Sequence, residues 1–111
     1  MRRLTTAIAT SILALTLAAC GSNDEPADPT KLDDAGSLAC DDFATGYKAA
    51  QTRQARIDLA NKVNKWAQTS ATHGIADNAT ALANSSAGSA GAWQIGADAF
   101  AKACLDAGWK A

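Results

Sequence analysis

Few side chains in this 111-residue chain combine the types and the spacing that catalysis or metal binding needs. His73 is the only histidine, and it stands beside Gly74 in a predicted turn, so no Ser/His/Asp set can be assembled around it. Asp41 and Asp42 are adjacent and project differently from a helix, which suits helix capping better than acid–base catalysis. The glycine-containing run 88–91 is not followed by Lys and Ser or Thr, as a phosphate-binding loop requires. The sequence therefore predicts no catalytic residue, no cofactor and no metal site.

The N-terminus has the layout of an export signal that ends at a cysteine. Two arginines precede the uncharged apolar stretch 4–19, whose 16 residues are fewer than the roughly 20 that a membrane-spanning helix needs. Such a segment, followed by small residues, predicts a cleaved signal peptide over 1–19. The motif at 17–20 (LAAC) resembles the bacterial lipobox. That resemblance implies cleavage before Cys20 by signal peptidase II and a diacylglyceryl group on its thiol; the alternative is an ordinary cysteine near a secretory cleavage site.

The part of the chain beyond residue 19 is mildly acidic. Without the two arginines of the signal, eight basic residues stand against eleven acidic ones. Five cations in 47–65 are spread along a predicted helix, which is typical of a solvated face and not of a nucleic-acid interface. The segment 20–37 contains both prolines, several acids and almost no large apolar residue, so we predict a lipidated cysteine followed by a flexible acidic tether. The expected location is the extracytoplasmic face of the cell membrane, held by the N-terminal lipid.

Cys40 and Cys104 are the cysteines that remain once Cys20 carries lipid. In an oxidising compartment, two thiols allow a single pairing. A zinc site is disfavoured because two cysteines far apart, without clustered histidines, supply too few ligands. A catalytic thiol is disfavoured as well. A folded part of this size, over 38–111, usually needs a covalent staple, so the sequence predicts a Cys40–Cys104 disulfide.

The hydrophobic pattern between these cysteines is helical, and the strand-like alternation of Val, Ile or Thr is missing from it. Alanine, the best helix former, is abundant. The sequence therefore predicts an all-α, disulfide-stapled bundle of about four helices. The predicted helices cover 40–50, 53–69, a short segment with Ile75 and Leu82, and 92–107, with a flexible loop over 84–92.

The tryptophans and two arginines offer candidate binding groups. Trp66, Trp93 and Trp109 could form an aromatic binding patch, but in so small a domain we interpret them as packing residues. Arg53 and Arg56 fall on the apolar side of the second helix and could bind an anion. We favour the alternative, in which their stems pack on apolar surface and their heads pair with a carboxylate of the domain.

Three segments carry a family resemblance: 40–47 (CDDFATGY), 58–67 (DLANKVNKWA) and 96–104 (GADAFAKAC). They resemble small exported helical proteins of actinobacteria, in which cysteines on the first and last helices bracket an alanine-rich bundle. The resemblance covers about 38–111 and implies a fold and a compartment. It transfers no functional residue.

Two functions of different classes follow as expectations. The first is a non-enzymatic envelope lipoprotein whose bundle binds a protein or a cell-wall component. The second is a prophage-encoded lipoprotein for superinfection exclusion or immunity, which phage tail and integrase genes beside this one would favour. A carrier of a small apolar ligand is disfavoured because it needs a cavity, and the alanine-rich composition argues against one. An enzyme is the least expected class, and the sequence does not indicate which residues bind a partner.

Overall fold

The computed structural model describes residues 28–110, which form four α-helices and contain no strand. This confirms the predicted all-α fold. The predicted signal peptide over 1–19 and the lipidation residue Cys20 lie outside the described residues. The helices, in chain order, are α1 (Asp34–Gly46), α2 (Arg53–Ala67), α3 (Ile75–Ser86) and α4 (Ala90–Asp106).

Consecutive helices pack against each other and run antiparallel, because the turns between them are short. The Asp42 carboxylate of α1 lies 4.0 Å from the Lys62 ammonium of α2, and the backbone of Gly96 in α4 lies against Ser85 of α3. The fourth side of the bundle differs, since α1 and α4 share few contacts. There the Cys40–Cys104 disulfide joins the two helices, with a Cα–Cα distance of 6.0 Å.

Side-chain caps set where three of the helices begin. Asp33, Thr52 and Ser89 each accept a hydrogen bond from the backbone N–H three residues later, at 2.8–3.1 Å. The predicted start of the first helix at Cys40 is therefore wrong, because the Asp33 cap begins α1 at Asp34. Asp41 thus lies in the middle of the helix and not in its first turn.

Residues 28–33 pack on the bundle, although the sequence placed them in the flexible tether. The Leu32 N–H donates to the Ala107 carbonyl at 3.1 Å, and the His73 N–H donates to the Pro29 carbonyl at 2.8 Å. The Asp33 carboxylate accepts from the Ser70 hydroxyl and from the backbone N–H of Ala71, both at 2.7 Å. This segment is thus held between the α2–α3 turn and the end of α4.

The core is made from one face of each helix. Phe100 of α4 is fully buried and meets Phe43 of α1 edge-to-face, with ring centroids 5.2 Å apart. Trp93 is 4% exposed, which confirms its predicted packing role. The largest fully buried side chains are those of Phe100, Ile75, Leu82, Val63, Cys40 and Cys104.

The predicted packing residue Trp66 and the apolar residue Leu105 lie on the surface instead. Trp66 is 37% exposed and Leu105 is 56% exposed. Both stand at the edge of their helix's apolar stripe, and each helix in a four-helix ring buries only the part of that stripe that faces its neighbours. The predicted packing of Trp66 in the core is therefore wrong.

The connection between α3 and α4 is much shorter than the loop predicted over 84–92. Helix α3 continues to Ser86, which is buried, and α4 begins at Ala90 after the Ser89 cap. The Ser86 hydroxyl donates to the Ala83 carbonyl at 2.7 Å, so the serine is satisfied within the last turn of the helix. Small polar residues here extend a helix and do not interrupt it.

Candidate functional site

An open apolar groove runs between α1 and α4, on the side of the bundle where the Cys40–Cys104 disulfide joins these two helices. Its volume is about 380 Å³. The groove exists because small side chains face each other across it, Ala44 on α1 and Ala97 and Ala101 on α4. Alanines on both helices cannot fill the space that the larger flanking residues hold open. The alanine-rich composition therefore creates a groove, contrary to the prediction that it would prevent a cavity.

Aromatic rings shape both ends of this α1–α4 groove. Phe43 of α1 and Tyr47, the residue that directly follows this helix, meet edge-to-face, with ring centroids 5.3 Å apart. At the opposite end, Trp109 follows α4 and is half-buried. Its indole Nε1–H donates to the Asp41 carboxylate at 2.8 Å. This bond ties the C-terminal tail to α1 and places Trp109 beside the exposed side chain of Leu105.

The position of Trp109 follows from the way α4 ends. Gly108 has a φ of +100°, a conformation that favours glycine, and the Trp109 N–H donates to the Cys104 carbonyl at 2.9 Å. The chain thus turns sharply and brings the indole over the disulfide end of the groove. Gly108 is thus the residue that allows α4 to end in this way.

A second cleft of about 270 Å³, with polar and apolar lining in similar proportion, adjoins the α1–α4 groove at the opposite end from Trp109. Tyr47 and Lys48 line both spaces, so the groove and the cleft adjoin each other at these two residues. Trp93 stacks near Tyr47, with ring centroids 6.4 Å apart. We call this space the Lys48 cleft. Besides Lys48, its polar lining consists of the side chains of Gln51, Arg56 and Gln94.

Hydrogen bonds fix the polar side chains at this junction. The Tyr47 hydroxyl donates to the Gln94 amide oxygen at 2.8 Å, and the Gln94 amide nitrogen donates to the Asp98 carboxylate at 2.7 Å. Arg56 donates from Nε to the Ala50 carbonyl at 3.3 Å. The predicted pairing of the Arg56 head with a carboxylate of the domain is thus wrong, because backbone carbonyls of the α1–α2 turn are its partners. Arg53 is exposed.

His73 lies outside both spaces. It is exposed and lines a mostly apolar depression of about 410 Å³, more open to solvent than the α1–α4 groove, together with Asn78, Lys102 and Asp106. The Lys102 ammonium is engaged by the Asp106 carboxylate at 2.7 Å, one helical turn away. Among residues 28–110, no three His, Cys, Asp or Glu side chains converge as metal ligands.

Asp33 has the most extensive set of hydrogen bonds among the carboxylates of the described chain. Partial burial raises its pKa, but the hydrogen bonds donated by the Ser70 hydroxyl and by the N–H groups of Ala71 and Gly36 outweigh burial, so its pKa is lowered. Asp33 holds the N-terminal segment to the bundle and lies away from the groove lining. Its role is structural.

No protein family, curated protein or solved structure matches this chain. The resemblance to exported actinobacterial helical proteins stays a prediction. None of the helices in the described region has both the length and the apolar character needed to cross a membrane. The sequence missed the α1–α4 groove and the role of Tyr47 and Lys48 in it. Opposed alanines on the first and last helices were the available sign of the groove.

Proposed function

We propose that this chain is a non-enzymatic binding module of the cell envelope, anchored to the extracytoplasmic face of the membrane through lipid on Cys20. The α1–α4 groove is its binding site. The observation that carries the proposal is this open apolar groove, with aromatic rings at both ends, between the two helices that share few contacts. The lipobox-like motif at 17–20 supports the anchor.

The position of the groove suits a protein that is held at its N-terminus. Residues 28–33 contact Ala107, so the chain enters the bundle at the end where α1 begins and α4 ends. The Lys48 cleft lies at the other end, and the 17 residues of α4 place it about 25 Å away. An anchored domain of this shape presents the Lys48 cleft on the side that faces away from its attachment point.

Binding without chemistry is proposed because of what lines the groove. Its surface consists of ring faces, alanine methyl groups and a disulfide, with Lys48 and Asp98 at the rim. The sulfurs of Cys40 and Cys104 are already bonded to each other and 1–2% exposed, so neither is a nucleophile. Concave, mostly apolar sites with a few placed polar groups are typical of ligand binding.

The anchor is tested by expressing the full chain in bacteria that are fed an alkyne-labelled fatty acid. We expect the label on the parent and its loss in Cys20→Ala, with release of the variant from the membrane fraction in a detergent-partition assay. Cys40→Ala/Cys104→Ala is the matched control, because it also removes cysteines and should keep the label. Unchanged labelling and membrane retention of Cys20→Ala would refute the anchor.

The site is tested separately with a photo-crosslinking amino acid in the same cells. It is placed at Ala44, which is exposed and lines the groove, and at Ala81, which is exposed on α3. We expect a discrete crosslinked species from position 44 and none from position 81. Equal crosslinking at both positions would show that the groove is not the binding site.

A further inference from the structure

We infer that the α1–α4 groove and the Lys48 cleft together bind a single-chain amphiphile with an anionic headgroup, its tail in the groove and its headgroup beside Lys48 and Arg56. The inference depends on the proposed function for the location of the site, and it adds the chemical class of the ligand.

The size of the groove favours a small molecule with a narrow apolar chain. Its 380 Å³ lies within the range of roughly 300–1,000 Å³ that is usual for small-molecule sites. From Ala97 to Leu105 the groove follows about 12 Å of α4. An α-helix of about 10 Å diameter over that length would occupy on the order of 900 Å³. A partner helix could insert only the side chains of one face, whereas a linear tail fits within the groove.

The change in character along the site favours an amphiphile over a purely apolar ligand. The space between Ala44 and Ala101 is surrounded by methyl groups, ring faces and the disulfide. Beyond Tyr47, the adjoining cleft adds two cations and two side-chain amides to an otherwise apolar lining. A molecule that fills both parts needs one apolar portion and one polar portion, joined end to end.

The charges at the polar end favour an anionic headgroup. Lys48 and Arg56 line the cleft, and Asp98, at the rim of the adjoining groove, is the one carboxylate that lines either space. The ion pairs in the described part of the chain are Lys62–Asp42 and Lys102–Asp106, so the charges of Lys48 and Arg56 are not neutralised by a bonded carboxylate there. The two hydrogen bonds of Arg56 to carbonyls leave further guanidinium N–H groups for an anion.

The test uses the full chain with Cys20→Ala, purified oxidised and without detergent, and a series of probes that share one tail. The probes are dodecyl phosphate, laurate, dodecyl maltoside and dodecyltrimethylammonium, each titrated below its critical micelle concentration, with inorganic phosphate alone as a further probe. Intrinsic fluorescence follows binding, because Trp93 and Trp109 line the site.

We expect both anionic probes to bind about tenfold or more tightly than the cationic one, and inorganic phosphate not to bind in the same range. Dodecyl phosphate and laurate distinguish a phosphate from a carboxylate headgroup. Equal affinity for all headgroups would refute the role of Lys48 and Arg56. No saturable binding of any tail would refute the ligand class, and a persistent crosslink at position 44 in cells would then leave the proposed function standing with a different ligand.

Substitutions test the two halves of the site independently. Lys48→Gln should weaken dodecyl phosphate binding about two- to fivefold, the value expected for an exposed charge pair, and Asp98→Asn should strengthen it by a similar factor. Ala44→Phe should abolish binding by filling the groove, whereas Ala81→Phe on α3 should leave it unchanged. Unaltered affinity in folded Ala44→Phe would overturn the inference.

If Ala44→Phe does not fold, backbone amide chemical shifts of the Cys20→Ala protein provide the same test. Dodecyl phosphate should shift the amides of Tyr47, Ala97 and Ala101. Shifts centred on the exposed Trp66 and Leu38 would place the ligand elsewhere and overturn the inference.

Discussion

Reducing the Cys40–Cys104 bridge should destabilise the bundle strongly. The two cysteines are 64 positions apart, so the bridge closes most of the folded chain into one loop. In the chain-entropy model, a loop of this length is worth about 4 kcal/mol of unfolding free energy. A domain of this size holds about 4–12 kcal/mol in total, at roughly 0.05–0.15 kcal/mol per residue. The disulfide thus supplies a third or more of the unfolding free energy.

The expected shift in melting temperature follows from the same figure. At about 4–8 °C per kcal/mol for a domain of 60–100 residues, reduction should lower the melting temperature by about 15–30 °C. The effect should arise mainly from the unfolded chain, because the cysteine side chains are 1% and 2% exposed and remain packed after the bond is broken.

The assay is thermal unfolding followed by circular dichroism, with the protein oxidised or fully reduced under denaturing conditions and refolded with reductant. Cys40→Ala/Cys104→Ala is the control, since its melting temperature should not respond to reductant. A reduced protein that melts within about 3 °C of the oxidised one would refute the loop-closure argument. Free thiols at both positions in protein taken anaerobically from the envelope would show that the bridge does not form in the cell.

Three further predictions concern packing and capping. Trp93→Ala should cost about 3–5 kcal/mol in denaturant unfolding because it empties a buried site, whereas Trp66→Ala should cost much less because Trp66 is 37% exposed; equal losses would contradict the assigned burial. The lowered pKa of Asp33 means that its carboxylate stabilises the fold above about pH 4 and that this stability is lost as the pH falls through the folded-state pKa. Asp33→Asn keeps a capping side chain, so its unfolding free energy should depend less on pH below about pH 4 than that of the parent; an unchanged acid slope would count against the assignment. Gly96→Ala should destabilise by about 1–3 kcal/mol because its Cβ would overlap the Ser85 hydroxyl, and Ser85→Ala should recover part of the loss in the double variant; full additivity of the two changes would argue against this contact.

The sequence by itself determined the helical class and the covalent staple. Apolar residues at helical spacing around Val63 and Phe100 predict amphipathic helices, since the period of the pattern is a local property of the chain. The pairing of Cys40 with Cys104 follows from the two thiols that remain after lipidation of Cys20 and from the predicted oxidising compartment. It requires no knowledge of how the helices pack. The lipobox-like motif around Cys20 is likewise a linear pattern, and it stays a prediction about residues that precede the described bundle.

Only the tertiary structure decided which apolar residues are covered and where a groove stays open. Helical periodicity shows which face of α2 is apolar. How much of that face the neighbouring helices cover depends on how closely they approach α2. Trp66 lies beyond the covered part and is therefore at the surface. The start of α1 depends on hydrogen bonds that the α2–α3 turn, which is distant in sequence, donates to the Asp33 carboxylate. The groove depends on α1 and α4 placing alanines opposite each other, and no single segment of sequence encodes that alignment.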